Sequence, residues 1–174
     1  MKARLFPVFA VVVALLGASP AWAAQDRRDT QLAEKVASAI GSYASFTIFD
    51  DIGGSVDQGV VTLTGKVTMP YKKSDVEKRV ARIDGVKSIN NQIDVLPVSI
   101  YDDELRASIA RAIYRNPSFW NYAMMSNPPI HIVVENGRVT LTGVVASAVD
   151  KALAQALASG YGEFRLTNAL RTEM

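Results

Sequence analysis

The chain has 174 residues, of which 49% are apolar, and it contains 19 basic and 17 acidic residues, one histidine and no cysteine. This length suits one ordinary domain or two small ones. The lack of cysteine excludes disulfide bonds, thiolate nucleophiles and cysteine-ligated metals, and a single histidine excludes multi-histidine metal sites. We therefore expect a fold that is held together by its apolar core.

Residues 1–23 have the features of a secretory signal peptide. Lys2 and Arg4 form a basic start, residues 5–16 are an almost wholly apolar run, and Ala21-Trp22-Ala23 is a small-x-small cleavage motif. The run is shorter than the ~20 residues of a membrane-spanning helix, so we expect cleavage after Ala23 rather than an uncleaved anchor, and no transmembrane segment afterwards. Removing two of the 19 cations and none of the 17 anions leaves a formally neutral protein. We therefore expect a periplasmic location and no nucleic-acid partner.

A nine-residue motif occurs twice in the chain. Residues 59–67 read GVVTLTGKV and residues 137–145 read GRVTLTGVV, so seven of the nine positions are identical. Apolar positions upstream and downstream recur in the same order, and the second copy has five additional residues between its first helix and its first strand. Such self-similarity predicts two copies of one structural unit.

The first copy contains five predicted elements. Apolar residues four apart predict an amphipathic helix over residues 29–40. Strands are predicted over residues 52–56 and 60–67, the second from its alternation of apolar and polar side chains. Pro70 suits the first turn of a second helix. Alternation predicts a last strand over residues 89–95.

The second copy repeats this order. A helix with an acidic first turn is predicted over residues 102–115, where the acidic charge compensates the helix dipole. Asn136-Gly137 predicts a tight hairpin turn between a strand over residues 130–134 and the second motif. Residues 147–150 resemble a capping box at the start of the second helix, and a last strand is predicted over residues 164–170.

These elements predict an α+β fold of two tandem α-β-β-α-β units. In each unit, two helices must cover one face of a three-stranded sheet, because each apolar stripe needs a surface to pack against. The strand-helix-strand connection is expected to be right-handed and to leave the sheet mixed. We expect an N-terminal tail over residues 24–28, a first domain over 29–97 and a second domain over 98–174.

The order, spacing and motif of the two units together resemble the BON domain, a module of osmotically induced periplasmic proteins of bacteria. In the first unit the resemblance is carried by the repeated motif and by Gly85-Val86, Ile89, Asn91 and Ile93. The resemblance implies a non-enzymatic envelope protein, with no cofactor, that associates with phospholipid surfaces or envelope proteins, including under envelope or osmotic stress. A chaperone-like protective protein is the alternative.

The candidate contact surface lies at the end of the first helix of the second unit and in the five-residue expansion that follows it. Arg111 and Arg115 share one helix face, and Phe119, Trp120 and Tyr122 follow them. Cations beside large aromatic side chains suit the boundary between lipid headgroups and acyl chains. We expect these residues to contact an anionic phospholipid surface or an envelope protein. The alternative is that the aromatic side chains fold back as a lid over a small core or pack between the two repeats.

A second basic surface is predicted on the outer side of the second helix of the first unit. It consists of five cations: Lys72, Lys73, Lys78, Arg79 and Arg82. Such a face is usually only solvated, and the alternative is local contact with anionic headgroups.

Catalysis and metal binding find little support in the residues. His131 alternates with Ile130 and Ile132 along a predicted strand, which favours a partly exposed strand histidine. No Gly-x-Ser-x-Gly motif or cysteine accompanies it. We therefore expect a protein that is not an enzyme and has no metal site, and a hydrolase that uses His131 as a general base is the alternative.

Overall fold

A computed structural model describes the chain over residues 21–173, and its side chains over residues 25–173. The predicted signal peptide lies outside the described residues, except for its last three positions, which begin the first helix. No helix within the described residues is long and apolar enough to cross a membrane.

The first unit consists of helix α1 (Ala21–Gly41), strands β1 (Asp51–Asp57) and β2 (Val60–Val67), helix α2 (Pro70–Val80) and strand β3 (Ser88–Val95). The sheet order is β1-β2-β3. Strand β1 pairs with β2 antiparallel, and β3 pairs with β2 parallel. The predicted α-β-β-α-β order and mixed sheet are therefore confirmed.

The second unit has the same order with additions at two places. It contains these elements: α3 (Ile100–Tyr114), a 3-10 helix (Pro117–Phe119), α4 (Trp120–Ala123), β4 (Ile130–Glu135), β5 (Arg138–Val145), α5 (Ala148–Leu157), β6 (Arg165–Asn168) and β7 (Arg171–Thr172). Both β6 and β7 pair with β5 parallel, so this sheet has four strands instead of the predicted three. The register on β5 is the same for β6 and β7, so together they form the predicted last strand with an interruption.

The core of each unit lies between one sheet face and its two helices. In the first unit it is formed by buried aliphatic side chains: Leu32, Val36, Ile40, Val61, Leu63, Val67, Val76, Val80 and Ile93. In the second unit the helices and sheet contribute these residues among others: Leu105, Ile109, Ile113, Val139, Leu141, Ala154 and Leu170. Burying a Val, Leu or Ile side chain contributes ~1.5–3 kcal/mol relative to exposure, so these clusters are the main source of stability.

Each unit ties its first helix to its hairpin turn through an aspartate. The Asp29 carboxylate accepts hydrogen bonds from the backbone N–H groups of Gln58 (2.9 Å) and Gly59 (3.1 Å). The Asp102 carboxylate accepts them from Asn136 and Gly137, both at 2.8 Å. Both turns have positive φ at their two central residues, as the predicted Asn136-Gly137 hairpin requires. Asp102 therefore holds the turn in addition to its predicted place in the first turn of the helix.

The two units touch through the segment that precedes β1. The Ile132 N–H on β4 donates to the Ile48 carbonyl oxygen at 2.7 Å, and Phe49 packs against the core of the second unit. Lys66 of the first unit forms an ion pair with Glu135 of the second. The edge of the second sheet is therefore partly covered by the first unit.

Candidate interaction surface

The predicted contact surface begins at the C-terminal end of α3. Arg111 lies in the last turn of this helix, and Arg115 is its C-cap residue. Both arginines are exposed, while Ile109 and Ile113 of the same helix are buried. Arg111 donates a hydrogen bond from Nη2 to Ser108 Oγ at 3.1 Å. The helix therefore presents two cations to solvent from the face opposite its core contacts.

The chain turns sharply after the helix and separates two neighbouring aromatic side chains. The Asn116 side chain accepts a hydrogen bond from the Ser118 N–H at 3.0 Å, and Pro117 begins the 3-10 helix. Phe119 then points inward and is fully buried in the core of the second unit, whereas Trp120 points outward and is 59% exposed. The expansion thus uses one aromatic side chain for packing and presents the next one to solvent.

Tyr122 holds the expansion on the unit. Its ring stacks on Phe119 with centroids 5.8 Å apart. Its hydroxyl accepts a hydrogen bond from the Ala146 N–H at 2.8 Å and donates one to Asp150 Oδ2 at 3.3 Å. Phe119 and Tyr122 therefore pack against the core of the second unit, as expected for a lid, whereas Trp120 does not.

Two methionines extend the exposed apolar area beside Trp120. Met124 is 86% exposed, and Met125 is about half exposed. We use the name Trp120 surface for Arg111, Arg115, Trp120, Met124 and Met125. The predicted contact residues did not include the methionines, although both lie in the same expansion of the chain and have long apolar side chains.

A mostly apolar groove of about 340 Å³ lies beside the two arginines. It is lined by residues of both units: Ile48, Ala110, Arg111, Tyr114, Arg115, Ala123 and Pro128. The Tyr114 hydroxyl donates to the Ile130 carbonyl oxygen at 2.5 Å, and burial raises the pKa of Tyr114, so the hydroxyl stays neutral. Apart from the two arginines, the lining of the groove therefore contributes apolar area rather than charge. The contribution of Ile48 had no local signal in the sequence.

The predicted basic face of α2 is smaller than expected. Lys72 is buried, and its ammonium group pairs with Asp50 Oδ2 at 2.6 Å. Arg79 donates to the carbonyl oxygens of Ala39 (3.0 Å) and Ser42 (3.2 Å). The prediction that all five cations lie on the outer side is therefore wrong for Lys72, because its long side chain reaches a buried carboxylate outside the helix.

Asp50 is the acceptor at the centre of this buried network. Its carboxylate also accepts hydrogen bonds from the N–H and hydroxyl groups of Thr47 and Thr68, at 2.7–2.9 Å. Burial by itself raises the pKa of Asp50, but the hydrogen bonds from Lys72, Thr68 and Thr47 outweigh it, and the pKa lies below its usual value. The pair is a structural link rather than an exposed binding site.

His131 does not lie on an open surface. It is 8% exposed, and its ring packs against Phe46 of the first unit with centroids 5.1 Å apart. The expectation of a partly exposed histidine is therefore wrong. Phe46 packs against the imidazole ring, and it comes from a distant part of the sequence that the strand pattern does not indicate. Within the described residues, no group of three or more potential metal-ligating side chains is found.

Comparison with known proteins identifies two matching regions in this chain. The family model described as BON domain matches residues 28–97 and again residues 101–165. No curated protein matches the chain.

Two solved structures of CdsD, a structural protein of the type III secretion system of Chlamydia trachomatis, are weakly similar. One is 12% identical, with 82% of this chain and 92% of that chain covered and a TM-score of 0.32. The other, of the CdsD C-terminal domain, is 13% identical, with 83% and 96% covered and a TM-score of 0.26. TM-scores this low do not establish a common fold.

Proposed function

Because this chain belongs to the BON domain family and carries two copies of the domain, we propose that it is a non-enzymatic envelope module that binds anionic phospholipid surfaces through the Trp120 surface. The observation that carries the proposal is the exposure of Trp120 and Met124 beside Arg111 and Arg115. The signal peptide predicted over residues 1–23 supports a periplasmic site of action.

The chemistry of this surface matches the two layers of a membrane interface. Trp and Met side chains gain free energy when they leave water for the acyl boundary, and the indole N–H keeps contact with water or headgroups. Cations near an anionic leaflet contribute ~1 kcal/mol each. Arg111 and Arg115 precede the apolar side chains in the chain and supply that charge. Binding through two cations and a few apolar groups is expected to be reversible.

Co-sedimentation with vesicles tests the proposal. The protein from residue 24 onward is mixed with vesicles of phosphatidylglycerol and phosphatidylcholine, and separately with phosphatidylcholine alone. We expect binding to the anionic vesicles at low salt and weaker binding in 1 M salt, where the screening length falls to ~3 Å. Failure to bind anionic vesicles at low salt refutes the phospholipid function.

A further inference from the structure

Two arginines lie side by side on the outer face of the second sheet. Arg138 on β5 is in direct register with Arg165 on the parallel strand β6. Val139 and Leu141 of β5 are buried in the core, so Arg138, which alternates with them, faces away from the helices. The next pair in register on that outer face is Thr140 with Thr167.

The arginine pair is not compensated by an acidic partner. Like charges directly opposite each other on neighbouring strands are destabilising. Glu135 is the cross-strand neighbour of Arg138 on β4, but its carboxylate pairs with Lys66 of the first unit. Among the described residues, neither Arg138 nor Arg165 takes part in an ion pair. Two exposed guanidinium groups therefore remain available to a common anion.

The pair borders a cavity of about 340 Å³ between the two units. Hydroxyl groups of Thr140, Thr142 and Thr167 and the ammonium group of Lys66 also belong to its lining, together with the carboxylates of Asp51 and Glu135, the second of which is paired with Lys66. Thr142 Oγ1 is buried and has no hydrogen-bond partner within the described part of the chain. The cavity thus places three cations, two carboxylates and three hydroxyl groups around one space, and the two arginines are the cations that form no ion pair.

The first unit shows that the fold does not require this pair. The equivalent positions of its sheet, found from the repeated motif and the last strand, are Val60 and Ser88. They are in the same mutual register on β2 and β3. The unfavourable arginine pair is therefore a feature of the second unit alone, at positions where a neutral pair is compatible with the same sheet.

We propose that this cavity binds a phosphoryl group, either as free phosphate or as the phosphomonoester of a lipid headgroup. Guanidinium groups form paired hydrogen bonds with phosphate oxygens, and the hydroxyls of Thr140 and Thr167 can donate to the remaining oxygens. A phosphomonoester carries about −1.5 to −2 charge at neutral pH, which offsets the repulsion between Arg138 and Arg165.

The proposed phosphoryl site is separate from the Trp120 surface. Arg138 follows the hairpin turn that Asp102 holds at the start of α3, whereas Trp120 follows the end of that helix. The 15 residues of α3 span about 20 Å, so Arg138 and Trp120 lie near opposite ends of this helix. The proposal therefore does not depend on membrane binding by the Trp120 surface.

The test exchanges the two arginines for the residues of the first unit. Thermal unfolding of the unmodified protein and of the R138V/R165S variant is measured with inorganic phosphate and with chloride at equal ionic strength. Phosphate stabilises most folded proteins to some extent, so only the difference between the two proteins counts. We expect a larger, saturable rise of Tm in the unmodified protein, and roughly tenfold or greater loss of phosphate affinity per arginine by calorimetry.

Folding and the source of the phosphoryl group are controlled separately. Without phosphate, R138V/R165S is expected to be at least as stable as the unmodified protein, because the repulsion is removed. The R111S/R115S variant is expected to keep the full phosphate response, and so is W120A. Arginine-dependent binding to phosphatidic acid vesicles without a response to free phosphate assigns the lipid headgroup. Equal phosphate responses in the unmodified protein and R138V/R165S, together with equal vesicle binding, overturn the proposal.

Discussion

Replacing Trp120 with alanine should greatly weaken binding to anionic vesicles while leaving the fold intact. An aromatic side chain buries about 150–250 Å² when fully covered. The indole is 59% exposed, so on the order of 90–150 Å² remains available to a membrane. At ~25 cal/mol per Å², inserting this area contributes about 2–4 kcal/mol. Because 1.4 kcal/mol corresponds to a factor of ten, the substitution should weaken binding roughly 30- to 700-fold.

The assay is titration of phosphatidylglycerol-containing vesicles into W120A and into the matched control Y71A. Tyr71 is 51% exposed at the start of α2, so the control removes a comparable exposed aromatic side chain outside the Trp120 surface. We expect Y71A to bind like the unmodified protein. Equal affinities for W120A and the unmodified protein, with both folded, would show that insertion of Trp120 does not drive binding.

Three further predictions concern buried contacts within the two units. F119A should lower the free energy of unfolding by ~3–5 kcal/mol, because Phe119 is fully buried, whereas W120A should lower it by less than ~1 kcal/mol in urea unfolding. D102A should cost ~2–5 kcal/mol, because two backbone N–H groups of the hairpin lose their acceptor. K72M should cost ~3–5 kcal/mol, because it leaves the Asp50 carboxylate buried and unpaired. The pKa of Asp50 is lowered in the folded protein, so its stabilising contribution is complete above the ordinary carboxyl pKa and is lost as the pH falls through the lowered value. K72M should therefore show acid unfolding that begins at a higher pH.

Each of these expectations has an outcome that contradicts it. Equal unfolding free energies for F119A and W120A would mean that the two neighbouring side chains are equally exposed in solution. A D102A protein as stable as E104A, which removes an exposed carboxylate from the same helix turn, would exclude a role for Asp102 in holding the hairpin. An acid transition at the same pH in K72M and the unmodified protein would show that Asp50 titrates without influence from Lys72.

Local patterns accounted for the elements of the fold, and they failed where distant residues meet. The alternation in the repeated motif and the Asn136-Gly137 turn correctly predicted strands β2 and β5 and the hairpin before β5. Lys72 was expected on an outer helix face, but its side chain is buried because it pairs with Asp50, 22 positions earlier in the chain. His131 was expected to be partly exposed, but Phe46 covers it. In both cases the decisive partner lies outside the element that carries the pattern.

The candidate surface was predicted in composition but not in orientation. Phe119 and Trp120 are adjacent in a segment without regular periodicity, so no pattern indicates which side chain points inward. The structure buries the first and exposes the second. The pair of Arg138 and Arg165 was not identified from the sequence at all, because these residues are 27 positions apart and meet only through the parallel register of β5 and β6.

The amino-acid sequence by itself determined that a unit is duplicated, in which order its elements occur, and which stripes of side chains form the two cores. The duplication is visible because the motif recurs. The order of the elements and the apolar stripes depend on residues a few positions apart, whose period and turn chemistry follow from backbone geometry. Only the tertiary structure decided which aromatic side chain reaches solvent, which lysine is buried, and which two arginines share a sheet face. Those outcomes depend on strand register and on contacts between remote segments, which no local pattern encodes.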